Sequence, residues 1–167
     1  IQEALEQGFR FLGWCRDLKG PSYKVCYGFM VSSAGDCLAV IGIGTISVMQ
    51  LRGTWLYSPM PDGACFYSTD NQSCIEIDIT RKWKSQLVAG TDFPTLLERH
   101  EKWVAANCAP RCALPKGREL AEFEKLRSAR FRAMESSGFI RFTDAAKTHW
   151  KYTFTGALRV SVFNYFI

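Results

Sequence analysis

The stretch Gly53-Thr54-Trp55-Leu56-Tyr57-Ser58 is rich in strand formers, and Pro59-Met60-Pro61-Asp62-Gly63 follows it. Pro presets φ and Asp-Gly supplies positive φ, so the chain reverses there and Ala64 to Thr69 returns as a second strand. Asp70-Asn71-Gln72-Ser73 predicts another turn, and Cys74-Ile75-Glu76-Ile77-Asp78-Ile79 alternates apolar with acidic residues. That alternation puts Ile75, Ile77 and Ile79 on one face of a third strand and Glu76 and Asp78 on the other. A β-meander over Gly53 to Ile79 is thus the platform on which the other apolar segments pack.

Upstream, residues 1–8 read as the end of a helix stopped by Gly8, and Phe9 to Trp14 as a first strand. The chain begins within a helical turn and without an initiator Met, so it reads as a fragment or a processed product. Tyr23 to Val31 and Cys37 to Ile43 predict a hairpin across Ser32 to Asp36. Leu38 to Ile43 is apolar at every position, which places it centrally in the sheet. Ile46 to Leu51 reads as a further short strand.

Downstream, Trp83 to Val88 has no clear period. Arg81, Lys82 and Lys84 surround Trp83 there, and snorkelling side chains at a sheet margin account for them better than a phosphate or membrane contact. Asp92 predicts an N-cap and Pro94 lies in the first turn of a helix from Phe93 to Asn107. Phe93, Leu96, Leu97, Trp103 and Val104 form its apolar stripe, with His100 in the middle. A neutral imidazole hydrogen-bonded within the core is preferred over a catalytic base or a ligand. His100-Glu101 opens like a zinc-protease helix, but Val104 stands where that motif needs its second His.

A second helix is expected from Arg118 to Ser136, ending at Gly138, with Leu120, Phe123, Leu126, Phe131 and Met134 as its stripe. Arg127 and Arg130 fall within that stripe. They must pair internally with a carboxylate of the first helix, stack, or reach an acidic partner. Phe139 to Phe142 and His149 to Phe154 predict a hairpin, and Ala157 to Ile167 an apolar tail that needs a cover.

The expected fold class is therefore α+β: an antiparallel sheet of six or seven strands packed by two long helices, with a C-terminal hairpin and apolar tail. Residues 1–107 carry the sheet and the first helix. Residues 108–167 form a basic helix–hairpin–tail subdomain packed on it as one compact unit.

Charge and cysteines bear on partners. Residues 1–107 hold 10 Lys and Arg against 11 Asp and Glu, and residues 108–167 hold 11 against 5. The C-terminal third thus carries +6 and the rest −1, which suits an anionic neighbour: phospholipid head groups, an acidic protein or nucleic acid. Seven Cys cannot all pair internally. Cys108 and Cys112 are spaced for a small loop disulfide or for two ligands of a metal, without a second matching pair. Cys65 and Cys74 flank one turn as possible cross-strand neighbours.

No nucleophile elbow, Gly-rich phosphate loop or complete metal set is present, so neither catalysis nor a cofactor is expected. The function expected is a non-catalytic accessory or structural domain of a membrane-associated assembly, peripheral or anchored outside this stretch. It docks against protein subunits or an anionic membrane surface through its basic third. Arg127, Arg130, Arg141, Lys147, Lys151 and Arg159 are the cationic contacts, and Trp150, Phe163, Tyr165 and Phe166 the apolar ones. The alternative is nucleic-acid binding through the same segment.

Two resemblances accompany this. The helix, Gly138, the hairpin and Tyr152-Thr153-Phe154-Thr155-Gly156 resemble the recognition helix and wing of winged-helix DNA-binding domains. Against it stand Glu119, Glu122 and Glu124 at the helix start, which repel phosphates, and the Pro- and Cys-containing loop where a helix–turn–helix is needed. Glu6 to Gly13, the Asp62-Gly63 turn, Leu96 to Trp103 and the close from Gly138 to Arg159 resemble uncharacterised bacterial proteins with an N-terminal membrane anchor and one α+β domain. That resemblance implies a domain beside a membrane and no catalytic residue.

Overall fold

Alternation of apolar residues builds a six-stranded sheet whose strands lie in chain order, in a computed structural model that describes residues 1–17, 23–46, 49–71, 82–107, 111–146 and 149–157. After a short helix α1 (Gln2–Glu6) come β1 (Arg10–Asp17), β2 (Tyr23–Val31), β3 (Leu38–Ile46), β4 (Met49–Pro59), β5 (Cys65–Thr69) and β6 (Trp83–Leu87). Helices α2 (Phe93–Asn107) and α3 (Glu119–Ser136) and a hairpin of β7 (Ile140–Phe142) and β8 (Trp150–Tyr152) follow. The fold is α+β, with β3 inside the sheet as its unbroken apolar run requires.

Three expectations are corrected. Ile46 to Leu51 is not a separate strand, because Ile46 pairs with Met49 and the segment joins the ends of β3 and β4. Trp83 to Leu87 is a strand, and it pairs parallel to β5, so the sheet is not wholly antiparallel. The connection from Thr69 to Trp83 has the length, about a dozen residues, that parallel pairing needs. Trp83 is buried rather than part of an exposed cluster, while Lys84 rests over the Phe66 ring. The third meander strand expected at Cys74 to Ile79 and the apolar tail from Leu158 on lie outside the described residues.

The chain divides into two compact units, one of Ile1–Glu76 with Lys82–Glu119 and one that begins at Leu120. The break falls after Glu119 rather than after Asn107. The loop past α2 belongs with the sheet because Cys112 N–H donates to Pro59 O and Leu114 N–H to Gly35 O.

In the first unit, period-two alternation sorts the sheet into two faces. One face carries Met30, Ala39 and Leu56, which pack with Ala4 and Phe9 against Phe93 and Leu96 of α2. Asp92 caps α2 by accepting from Thr95 N–H at 2.9 Å, and the Thr95 hydroxyl first and then this N–H hold its carboxyl below the usual range. Glu3 of α1 accepts from Phe93 N–H at 3.1 Å and ties the two helices together. The other face carries an aromatic layer in which Tyr57 stacks on Tyr67 and meets the Trp83 ring edge.

In the second unit, α3 ends in a Schellman motif: Gly138 at positive φ donates to Glu135 O, and Phe139 N–H to Met134 O. Met134, Phe139 and Ile140 form a buried cluster joined by Phe131. Leu120, expected in the apolar stripe, is exposed. The chain then returns after β8 in a helical turn, residues 154–157, where Gly156 passes so close that a Cβ would lie 2.0 Å from Phe139 O.

Candidate docking surface and the buried imidazole

His100 sits on α2 directly over the sheet and has no solvent exposure. Ser58 of β4 and Ser68 of β5 project from the same face as Leu56 and Phe66, their cross-strand neighbours. Ser58 Oγ lies 2.9 Å from Nε2 of the imidazole and Ser68 Oγ 2.8 Å from Nδ1. Ser68 in turn donates to Gln86 Oε1 of β6 at 3.3 Å. One hydroxyl proton per serine then fixes the tautomer. Ser68 spends its proton on Gln86 and so accepts from Nδ1–H, and Nε2 accepts from Ser58. Ser58 also hydrogen-bonds the buried Cys37 thiol.

Every member of this chain finds a partner, which is what a buried polar group requires. Burial, chiefly, lowers the His100 pKa from 6.5 to about 3, with the nearby Arg111 acting in the same direction. Burial likewise pushes the Cys37 thiol up to about 12. His100 is therefore the neutral core imidazole preferred from the sequence. It bolts α2 to β4 and β5.

An ion-pair clasp lies beside it. Arg111 reaches both oxygens of Glu101 in a fork, one arm at 2.9 Å, and approaches Asp36 at 3.4 Å. Hydrogen bonding to Glu101, first of all, raises the Arg111 pKa. Asp36 accepts from Ser32 Oγ at 2.8 Å, so the clasp joins the β2–β3 turn, α2 and the following loop. Cys112 is a free thiol, so neither it nor the loop spacing forms a disulfide among the described residues; Cys108 and Cys74 lie outside them. Among the described residues no cluster of His, Cys, Asp and Glu is placed to hold a metal ion.

The second unit brings together part of the basic set. In the β7–β8 register Arg141 stands opposite Lys151, Ile140 opposite Tyr152 and Phe142 opposite Trp150. Arg141 and Lys151 are both exposed and form no ion pair among the described residues. Cβ atoms of directly opposed residues lie roughly 4.5–5.5 Å apart, and like charges there destabilise a hairpin. On its other face Trp150 packs against Phe131 at 5.5 Å and against Tyr152 at 5.2 Å. Arg127 lies over the Phe131 ring at 5.9 Å and pairs with Glu124 at 3.2 Å within its own helix. No carboxylate of α2 is needed for that pair. Trp150 and Tyr152 are half-exposed, and Phe154 beyond them is 86% exposed.

Arg130 differs from the rest. It is 5% exposed and lies over Phe131, so it is an interior residue and not a surface contact. Lys147, Arg159, Phe163, Tyr165 and Phe166 lie outside the described residues. Glu119 at the start of α3 is buried and paired with Arg10. Backbone N–H donors at the helix start, its own first, and Arg10 hold its carboxyl below the usual range.

Sequence reasoning named His100 but missed Ser58 and Ser68. Their signal was present: each is a small hydroxyl two residues from a large apolar side chain on the same strand face, Leu56 before Ser58 and Phe66 before Ser68. Comparisons with protein-family models, with curated proteins and with solved structures each return no match.

Proposed function

We propose that this chain is a non-catalytic docking domain of a membrane-associated assembly, and that its C-terminal unit meets an anionic membrane surface. The observation that carries the reading is the exposed Arg141–Lys151 pair. A hairpin that sets two cations side by side, with no carboxylate on them among the described residues, gives up stability, and an anionic surface restores it. Trp150, Tyr152 and Phe154 supply half-apolar and apolar rings of the kind that settle at a bilayer interface. No described helix is long and apolar enough to cross a membrane, so contact would be peripheral or through a segment outside those residues. The sealed environment of His100 favours a non-catalytic role, since no substrate reaches an imidazole with no exposed surface.

Co-sedimentation tests the reading. The chain should pellet with vesicles of phosphatidylserine and phosphatidylcholine, should stay in solution with phosphatidylcholine alone, and should be released by salt. Equal behaviour on both vesicles would defeat it. Nucleic-acid binding through the same unit is the alternative. It gains nothing from the start of α3, where Glu122 and Glu124 pair with Lys125 and Arg127. Binding to duplex DNA with a steep salt dependence, and none to anionic vesicles, would put it first.

A further inference from the structure

The sheet face that carries α2 is covered at one end and open at the other. The register sets out the open end in rows across the strands. One row runs Trp14, Gly28, Ile41, Thr54, and the next Arg16, Cys26, Ile43, Arg52. Lys24 and Thr45 begin the row beyond. Trp14 is 55% exposed and Ile43 51% exposed, while Cys26 and Ile41 are half-buried between them. Arg16, Lys24 and Arg52 are all exposed, and among the described residues none of them meets a carboxylate. The indole lies flat: a Cβ at Gly28 would stand 3.0 Å from the Trp14 ring. The result is an apolar floor with a cation on each side.

We infer that this floor, Trp14–Cys26–Ile43 between Arg16 and Arg52, is a docking strip for an amphipathic helix of a partner protein that carries acidic residues along both flanks. Width supports it. Arg16 and Arg52 stand three strand spacings apart, roughly 14 Å, and a helix with its side chains is roughly 10–12 Å across. A helix laid along the strands would place its apolar stripe on Ile43 and its carboxylates against the two guanidinium groups. The same face already receives a helix of this shape in α2. A second copy of the chain is a poor occupant, because stacking two such strips sets cation against cation. Successive nucleobases need rings spaced along the strip, and its exposed rings, Trp14 and the neighbouring Phe11, sit together on one edge strand beside an aliphatic Ile43. A bilayer needs side chains that protrude, and Trp14 lies flat.

The test uses the full chain and two synthetic 18-residue helical peptides with one leucine stripe, one flanked by Glu and one by Lys, read by fluorescence anisotropy. The Glu-flanked peptide should bind saturably and the Lys-flanked one should not. Arg16→Glu with Arg52→Glu should weaken the first by about tenfold or more and confer binding of the second. Both sites are exposed, and an unchanged thermal transition would confirm that the double variant folds. Ile43→Ser should weaken the first peptide without conferring the second. Arg141→Glu should leave both peptides unaffected, which separates this strip from the hairpin. Absence of saturable binding, equal binding of the two peptides, or indifference to the double charge reversal would overturn the inference. So would binding of oligothymidylate or phosphatidylserine vesicles that disappears in the same double variant.

Discussion

The clamp around His100 and the hairpin of the second unit treat polar groups in opposite ways. At His100 an imidazole and two hydroxyls are sealed from water, and each finds its partner within the chain. In the hairpin, Arg141 and Lys151 face each other in solvent, and neither finds a carboxylate among the described residues. The first arrangement is complete without anything external. The second finds no anion among the described residues. The contrast teaches that a polar group on an apolar stripe is evidence for a site only when its own chain leaves it unmet. His100, polar on an apolar stripe, is the satisfied core imidazole that the sequence favours. Arg141 and Lys151 are among the cationic contacts the sequence points to, and their register, which sets them side by side, makes them the more informative pair.

Removing His100 should have the largest effect. His100→Ala empties a core position and leaves Ser58 and Ser68 without their partner, at a cost of roughly 3–5 kcal/mol. Chemical denaturation measures it. A loss below 1 kcal/mol would mean the clamp contributes little and would erase half of the contrast. Gly156→Ala is the corresponding blow to the hairpin region. The new Cβ would meet the Phe139 carbonyl, and relieving that backbone clash should cost about 2–3 kcal/mol. Thermal unfolding indistinguishable from wild type would show that the return of the chain after β8 is not so tight.

Acid sharpens the contrast further. The His100 pKa is about 3 in the folded state against 6.5 unfolded. Between those values the unfolded chain binds a proton that the folded chain does not, so stability falls as pH falls below 6.5. At pH 5 the loss should be about 2 kcal/mol relative to neutral pH. His100→Gln should flatten that slope, as followed by urea denaturation from pH 7 to pH 5. An unchanged slope in the variant would assign the acid sensitivity to other groups.

Much of the fold was legible because it rests on local periods. The β2–β3 hairpin, the strand and turn around Asp62-Gly63, and α2 with its Asp92 cap follow from alternation, turn residues and capping. The parallel partner of β5 was not legible, since nothing in Trp83 to Leu87 encodes which strand it joins or in which direction. His100 could be placed on an apolar stripe, but its partners lie 42 and 32 residues away in sequence. Only sheet register brings them to one imidazole. Arg130 fell within the stripe by angle, and its burial over the Phe131 ring is something helical period alone does not report. The flat seat of Trp14 on Gly28 likewise requires the bulge between Phe11 and Gly13, where β1 shifts against β2.

The smallest effect on stability carries the most weight for function. Arg141→Glu turns the like-charged pair into an opposite-charged one, which should stabilise the hairpin by about 0.2–1 kcal/mol. If the pair exists to meet an anionic surface, the same change must weaken docking. Partition onto phosphatidylserine vesicles, measured beside thermal unfolding on wild type and Arg141→Glu, reads both at once. The prediction is a variant that is at least as stable as wild type and binds vesicles several-fold more weakly. A variant that binds them as well as wild type would contradict the proposed role of the hairpin.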